Sequence, residues 1–197
     1  MNKVYGVIYP IIWVYMKLVH PWKAVGVERV PEGAALLCGN HSTLGDPLYV
    51  VCCLGWRRQV RVMAKEEVMK WPILGFLLRK AGIFGVKRGK ADVGALKEAM
   101  RILRGGEKLL MFPQGTRVKD GEDSEARTGA AMFATRTGAP IVPIYIPTKK
   151  RRFRRTTIVF GEPYHPEFED RKPTPEDYQR IADDLMERIR ALEERAA

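Results

Sequence analysis

Residues 38–48 read Cys-Gly-Asn-His-Ser-Thr-Leu-Gly-Asp-Pro-Leu, and two of them carry chemistry: His41, one of three histidines in the chain, and Asp46, five residues on. A histidine held by a carboxylate accepts a proton from a hydroxyl, because the carboxylate fixes the tautomer and stabilises the imidazolium that forms. On a continuous helix this spacing would point the two side chains to different faces, so a turn has to intervene. Gly45 supplies flexible backbone, Asp46 is a favoured N-cap and Pro47 suits the first helical position. A loop from His41 to a helix start at Asp46 can therefore fold the imidazole back onto the carboxylate. The same residues admit a plainer reading, in which Asp46 is only an N-cap and His41 a loop histidine bonded to backbone.

Two other places set polar groups directly after apolar runs. Residues 82–86 (Gly-Ile-Phe-Gly-Val) end in Lys87 and Arg88, and residues 108–112 run into Pro113, Gln114, Gly115, Thr116 and Arg117. Gly115 permits close backbone approach, Thr116 offers a hydroxyl, and arginine binds phosphate oxygens bidentately, so Arg117 with Arg88 forms a set suited to a phosphomonoester. Taken singly, a strand-end arginine is an ordinary solvated residue.

The elements that must position these groups alternate. Buried strands are expected at 34–38, 60–64, 82–86, 108–112, 140–146 and 156–160, with Pro143 arguing for an edge, a bulge or a strand end within the fifth. Helices are expected from 47 to 54, from a cap at Asp92 to the stop at Gly105 and Gly106, and from 127 to 138. A last amphipathic helix opens at Thr174, with Pro175 first and acids in its first turn. Strands alternating with helices imply an α/β fold with a mixed, largely parallel sheet flanked by helices, whose sites lie at the carboxyl ends of the strands. By that rule His41 to Asp46, Lys87-Arg88 and Gly115 to Arg117 converge on one crevice.

At 197 residues, with no repeat and no low-complexity linker, the chain is read as an N-terminal segment (1–22) followed by a single α/β domain (23–197). Residues 4–16 are apolar or aromatic apart from Gly6 and Pro10. As a helix they span about 20 Å, against a hydrocarbon core of about 30 Å. Tyr5, Tyr9, Trp13, Tyr15 and Trp22 favour the headgroup zone, so a segment lying in one leaflet is expected, with an ordinary core helix as the competitor. No small-x-small cleavage site precedes His20-Pro21-Trp22. Residues 69–78 are similarly apolar and are read as either a second lipid-facing stretch or a buried helix.

Lys and Arg number 34 against 23 Asp and Glu, a net charge of +11 that favours anionic partners. The densest run is 149–155, six cations around Phe153. An anionic membrane surface or an acidic protein explains it more economically than nucleic acid, for which no stacking platform accompanies the charge. The three cysteines, with Cys52 and Cys53 adjacent, are read as reduced core thiols. No metal site is expected, since no cluster has ligand spacing.

These residues carry a resemblance. Asn40-His41-Ser42-Thr43-Leu44-Gly45-Asp46 resembles the H-x4-D motif of the lysophosphatidic acid acyltransferase family of glycerolipid acyltransferases. Phe112 to Arg117 resembles its F-P-E-G-T-R block, Gly82 to Arg88 its G-x-F-x-x-x-R-like block, and Ile141-Val142-Pro143-Ile144 its V-P-containing block, in the family's order from about residue 20 to 165. The resemblance implies that His41 is the general base for a glycerol hydroxyl, that Asp46 orients it, and that Arg88, Gly115, Thr116, Arg117 and Arg127 hold the acceptor's phosphate. It implies a lysophospholipid acceptor and an acyl group carried as a thioester on acyl carrier protein or coenzyme A, with no further cofactor; the reduced thiols and the interfacial N-terminal segment place the expected location at the cytoplasmic face of a membrane. Two departures stand out: Gln114 where the family has glutamate, and Ala126-Arg127 where it has an aromatic and a lysine. The alternatives are another lysolipid acceptor or a catalytically silent lipid-binding protein on the same scaffold.

Overall fold

An apolar run too short for a helix and without a polar face has to be buried on both sides, which is the condition of a strand inside a parallel sheet covered by helices. A computed structural model describes residues 3–87, 92–115, 128–168 and 172–196. In chain order they form α1 (Lys3–Val19), β1 (Trp22–Val25), β2 (Ala35–Gly39), α2 (Asp46–Leu54), β3 (Val60–Lys65), the single turn α3 (Glu66–Met69), α4 (Pro72–Lys80) and β4 (Ile83–Val86). There follow α5 (Val93–Arg104), β5 (Lys108–Met111), α6 (Gly129–Thr137), β6 (Ile141–Tyr145), β7 (Thr156–Phe160) and α7 (Pro175–Ala191). Among the described residues the strands make one sheet in the order β1-β7-β6-β2-β5-β3-β4, parallel at every pairing except β6 with β7.

The register divides the core in two. Leu36 lies opposite both Leu109 and Ile141, and this row packs against α5, α6 and α7. Leu37 lies opposite Leu110 and Val142, and this row faces the other way, against Tyr49 and Val50 of α2 and Met16 of α1. Alternation of side chains along strands buried on both faces thus gives three layers, helix on sheet on helix. Helix α7 closes one face with Ile181, Leu185 and Ile189 buried, and a reciprocal capping box between Thr174 and Asp177 starts it.

Two strands differ from the sequence reading. β1, four residues long and only half-buried at the sheet edge, is too short and too mixed to announce itself, and it pairs in register with β7 from Trp22 opposite Thr156 to Val25 opposite Val159. Pro143 sits in the middle of an interior strand, not at an edge. Its carbonyl accepts from Gly161 N at 2.8 Å on the β7 side, where the antiparallel ladder holds only Ile144 opposite Phe160 and Tyr145 opposite Val159. The N–H that proline lacks falls on that short ladder, so the strand loses little. The close approach also needs glycine at 161, where a Cβ would lie 2.7 Å from Pro143 Cγ.

Helix α1 rests on α2 through Tyr5, Tyr9, Ile12 and Met16, at helical spacing. Its outer face, Val7, Ile11, Val14 and Leu18, is also apolar, and it is exposed. α4 touches α1 and likewise exposes Ile73, Phe76 and Leu77, next to the exposed Trp71 at its N-cap. Among the described residues no helix is long and apolar enough to cross a membrane.

At the carboxyl edge of the sheet Asn40 extends the pairing of β2 with β6 by one side-chain step: its Nδ2 donates to Ile146 O at 2.7 Å and its Oδ1 accepts from Ile146 N at 2.8 Å. Ile146 is fully buried, so no solvent replaces these bonds. Asn40→Ala should lower the unfolding free energy by about 1–3 kcal/mol, the cost of orphaned buried backbone groups. Urea denaturation would show this as a lower midpoint at unchanged slope, and an unchanged midpoint would refute it.

Candidate active site

The chain leaves β2 at Gly39 and makes a tight loop before α2. Helix α2 begins one residue earlier than the sequence implies: Gly45 is the N-cap, Asp46 the first residue and Pro47 the second. The physical reason is the use made of the Asp46 carboxylate. Instead of capping the N–H groups of its own helix, it turns back and gathers the loop. Its Oδ2 accepts from Ser42 N at 2.7 Å and Thr43 N at 2.8 Å and lies 2.9 Å from His41 Nδ1, while Oδ1 accepts from Thr43 Oγ1 at 2.6 Å. With Nδ1 engaged by a carboxylate, the imidazole keeps its proton there and its lone pair on Nε2.

Asp46 is wholly buried and His41 nearly so. Burial by itself would push the Asp46 carboxyl up. The hydrogen bond with His41, the nearby Lys150 charge, and the hydroxyl and amide of Thr43 outweigh burial and hold the group well below the usual carboxylate range. Asp46 is therefore ionised throughout the neutral range.

β5, which neighbours β2, supplies two further contacts. Phe112 stacks on His41 with ring centroids 4.2 Å apart and planes 19° from parallel, and Gln114 Oε1 accepts from His41 N at 2.9 Å. Gln114 thus serves as a hydrogen-bond acceptor, a task an amide oxygen performs as well as a carboxylate. Gly115 closes the turn, its N–H donating to Phe112 O at 3.0 Å and its φ of 68° lying where glycine is favoured.

Of the other residues singled out in the sequence, Arg88, Thr116, Arg117 and Arg127 lie outside the described residues. Lys87, the last residue before them, donates its N–H to Asp92 Oδ2 at 3.0 Å, and Asp92 caps α5 through Ala95 N. The strand order puts the carboxyl end of β4 two strands beyond β5, on the order of 10 Å at the usual strand spacing.

One residue of the site was hidden in the sequence. Lys150, submerged in the cationic run 149–155, places its Nζ 2.9 Å from Asp46 Oδ1 and donates to Ser42 Oγ at 2.8 Å, with its side chain only 6% exposed. Composition cannot separate it from its neighbours. The available signal is topological: β6 runs parallel beside β2, so the loop after β6 leaves the sheet next to the His41 loop.

A family model described as Acyltransferase matches residues 22–147. The 1-acyl-sn-glycerol-3-phosphate acyltransferase of Bacillus subtilis is 30% identical over 180 residues, covering 82% of this chain and 89% of that protein. The chloroplastic 1-acyl-sn-glycerol-3-phosphate acyltransferase LPAT1 of Arabidopsis thaliana is 32% identical over 123 residues, 60% of this chain, and the chain spans only 34% of its length. Among solved structures, the 1-acyl-sn-glycerophosphate acyltransferase PlsC from Thermotoga maritima shares the fold with a TM-score of 0.71 at 23% identity, over 99% of this chain and 82% of that one.

The low native value of Asp46 makes it a pH-dependent source of stability. Because the folded group binds its proton more weakly than the unfolded one (about 3.9), its contribution is complete above that value and is lost as the pH falls below it. Wild-type unfolding free energy should therefore fall more steeply than that of Asp46→Asn between about pH 4 and pH 2 in urea titrations. Parallel curves would remove Asp46 from the acid-sensitive balance.

Proposed function

The chain belongs to the lysophosphatidic acid acyltransferase family, and from that membership we propose that it transfers a fatty acyl chain from a thioester to the free hydroxyl of 1-acyl-glycerol-3-phosphate, giving phosphatidic acid. The observation that carries this reading is the His41 Nδ1 to Asp46 Oδ2 contact of 2.9 Å at the carboxyl end of a central strand. In this reading Nε2 accepts the proton of the acceptor hydroxyl as its oxygen bonds to the thioester carbonyl carbon. The tetrahedral oxyanion collapses, the carbon–sulfur bond breaks, and the imidazolium returns its proton to the leaving thiolate of acyl carrier protein or coenzyme A. Attack is direct, so no acyl-enzyme forms. Arg88, Gly115, Thr116, Arg117 and Arg127 are proposed to hold the phosphate, with Arg88 and Arg117 offering bidentate donors.

The apolar outer faces of α1 and α4 fit a protein that rests on a bilayer and takes its acceptor from it. The exposed arginines 151, 152, 154 and 155 suit an anionic surface. The proposed location is the cytoplasmic face of a membrane.

His41→Ala should lower acyl transfer to lysophosphatidic acid in mixed micelles by roughly 10²–10⁴, the range for a positioned general base, while circular dichroism shows the fold intact. Full activity in the folded variant would overturn the role of His41. Absence of transfer in the wild type from either thioester, with a panel of lysolipids also inert, would overturn the reaction. For the membrane face, Ile11→Asp with Ile73→Asp removes two exposed aliphatic side chains worth about 1.5–3 kcal/mol each on burial. The double variant should partition onto phosphatidylglycerol vesicles at least about tenfold more weakly in flotation assays, and equal partition would count against that face.

A further inference from the structure

Lys150 stands apart from the cations around it. Arg151, Arg152, Arg154 and Arg155 are exposed, whereas its ammonium is enclosed between Asp46 Oδ1 and Ser42 Oγ. We infer that Lys150 is a positioning residue for the proton-accepting pair: it occupies Oδ1 of Asp46 so that Oδ2 is left to His41, and it ties the His41 loop to the loop leaving β6.

A carboxylate presents equivalent oxygens and can exchange them by rotation. Here the two are distinguished by their partners, His41 and two loop amides on Oδ2, Lys150 and the Thr43 hydroxyl on Oδ1. The segment that carries Lys150 is itself pinned on either side. Ile146 is held by Asn40, and Phe153, at a φ of 60° disfavoured for a residue with a Cβ, donates its N–H to Val19 O at 2.8 Å. A short loop fixed at both ends delivers the ammonium to one place.

The charge matters as well as the geometry. Beside a bare buried carboxylate an imidazole would hold its proton tightly, whereas beside a carboxylate already paired with an ammonium it holds it less. His41 contacts the Asp46 carboxylate from α2, and through that carboxylate the Lys150 ammonium from the loop after β6; Phe112 and Gln114 from the β5 side, which also touch it, are uncharged. Tyr49, farther along α2, adds no charge, since burial and then the Asp46 carboxylate push its hydroxyl up. Neutralising residue 150 removes that counter-charge, so the imidazole of the variant should bind its proton more tightly than that of the wild type. The kinetic side of this inference rests on the acyl-transfer reading, and the titration of His41 does not.

The test uses the full chain with Lys150→Met, Lys150→Gln and Lys150→Arg. Glutamine is included because it keeps a hydrogen-bonding end for Ser42 should methionine leave the carboxylate too poorly paired to fold. The imidazole of His41, identified with His41→Ala, is titrated by NMR, and kcat and KM for transfer to lysophosphatidic acid are followed against pH. In the uncharged variants the His41 midpoint should rise by about one pH unit, a tenfold change in proton affinity, with the acid limb of kcat moving with it. KM for the acceptor should stay within about twofold and Lys150→Arg should restore both profiles. A His41 midpoint within about 0.2 pH unit of wild type in the folded uncharged variants would overturn the inference, whatever happens to turnover. A shifted midpoint in a protein whose wild type transfers no acyl group would support the placement of Lys150 and overturn the reaction instead.

Discussion

A carboxylate with no exposure to water is costly unless its charge is met, and the arrangement around Asp46 is built to meet it. Each of its partners also does something else. The amides of Ser42 and Thr43 give the loop its shape, His41 gains a fixed tautomer and orientation, and Lys150 brings in a segment more than a hundred residues away in the chain. Satisfying one buried charge and assembling the site are therefore the same event. Loss of the carboxylate would release the loop, the imidazole and the lysine together.

The sheet makes this convergence possible. β2 lies between β5 and β6 and runs parallel to both, so the loops after all three emerge side by side at one edge. From β2 come His41 and Asp46, from β5 the Phe112 ring and the Gln114 acceptor, and from β6 the Lys150 ammonium. Crossover helices on both faces keep these strands covered, which is why their side chains are almost all apolar, Lys108 at the start of β5 and Tyr145 at the end of β6 aside, while the polar groups of the site lie in the loops. The antiparallel β7 then turns the chain back and pairs with the edge strand β1 near the end of α1.

The parts of this plan that depend on local pattern were legible in the sequence. Wholly apolar runs such as 34–38 have one burial option, and the Thr174 to Asp177 capping pattern fixes the start of α7. The His41 to Asp46 turn could be anticipated from Gly45 and Pro47, although the local rules assigned Asp46 to the helix as a cap. They know nothing of the lysine that draws its carboxylate the other way. Long-range facts were opaque for the same reason. Pro143 reads as a strand-edge residue until the short ladder on its β7 side is known, β1 has too few residues to show a period, and Lys150 differs from its cationic neighbours only through the strand order.

Gln114 illustrates how a motif letter can be mistaken for a physical requirement. Its amide oxygen receives the backbone N–H of His41, and nothing in that contact asks for a negative charge. What the position demands is a lone pair at a given point in space, a condition met by glutamine and glutamate alike. A search pattern that insists on the acid at this place selects on spelling, and it would pass over chains whose loop is held by the same bond.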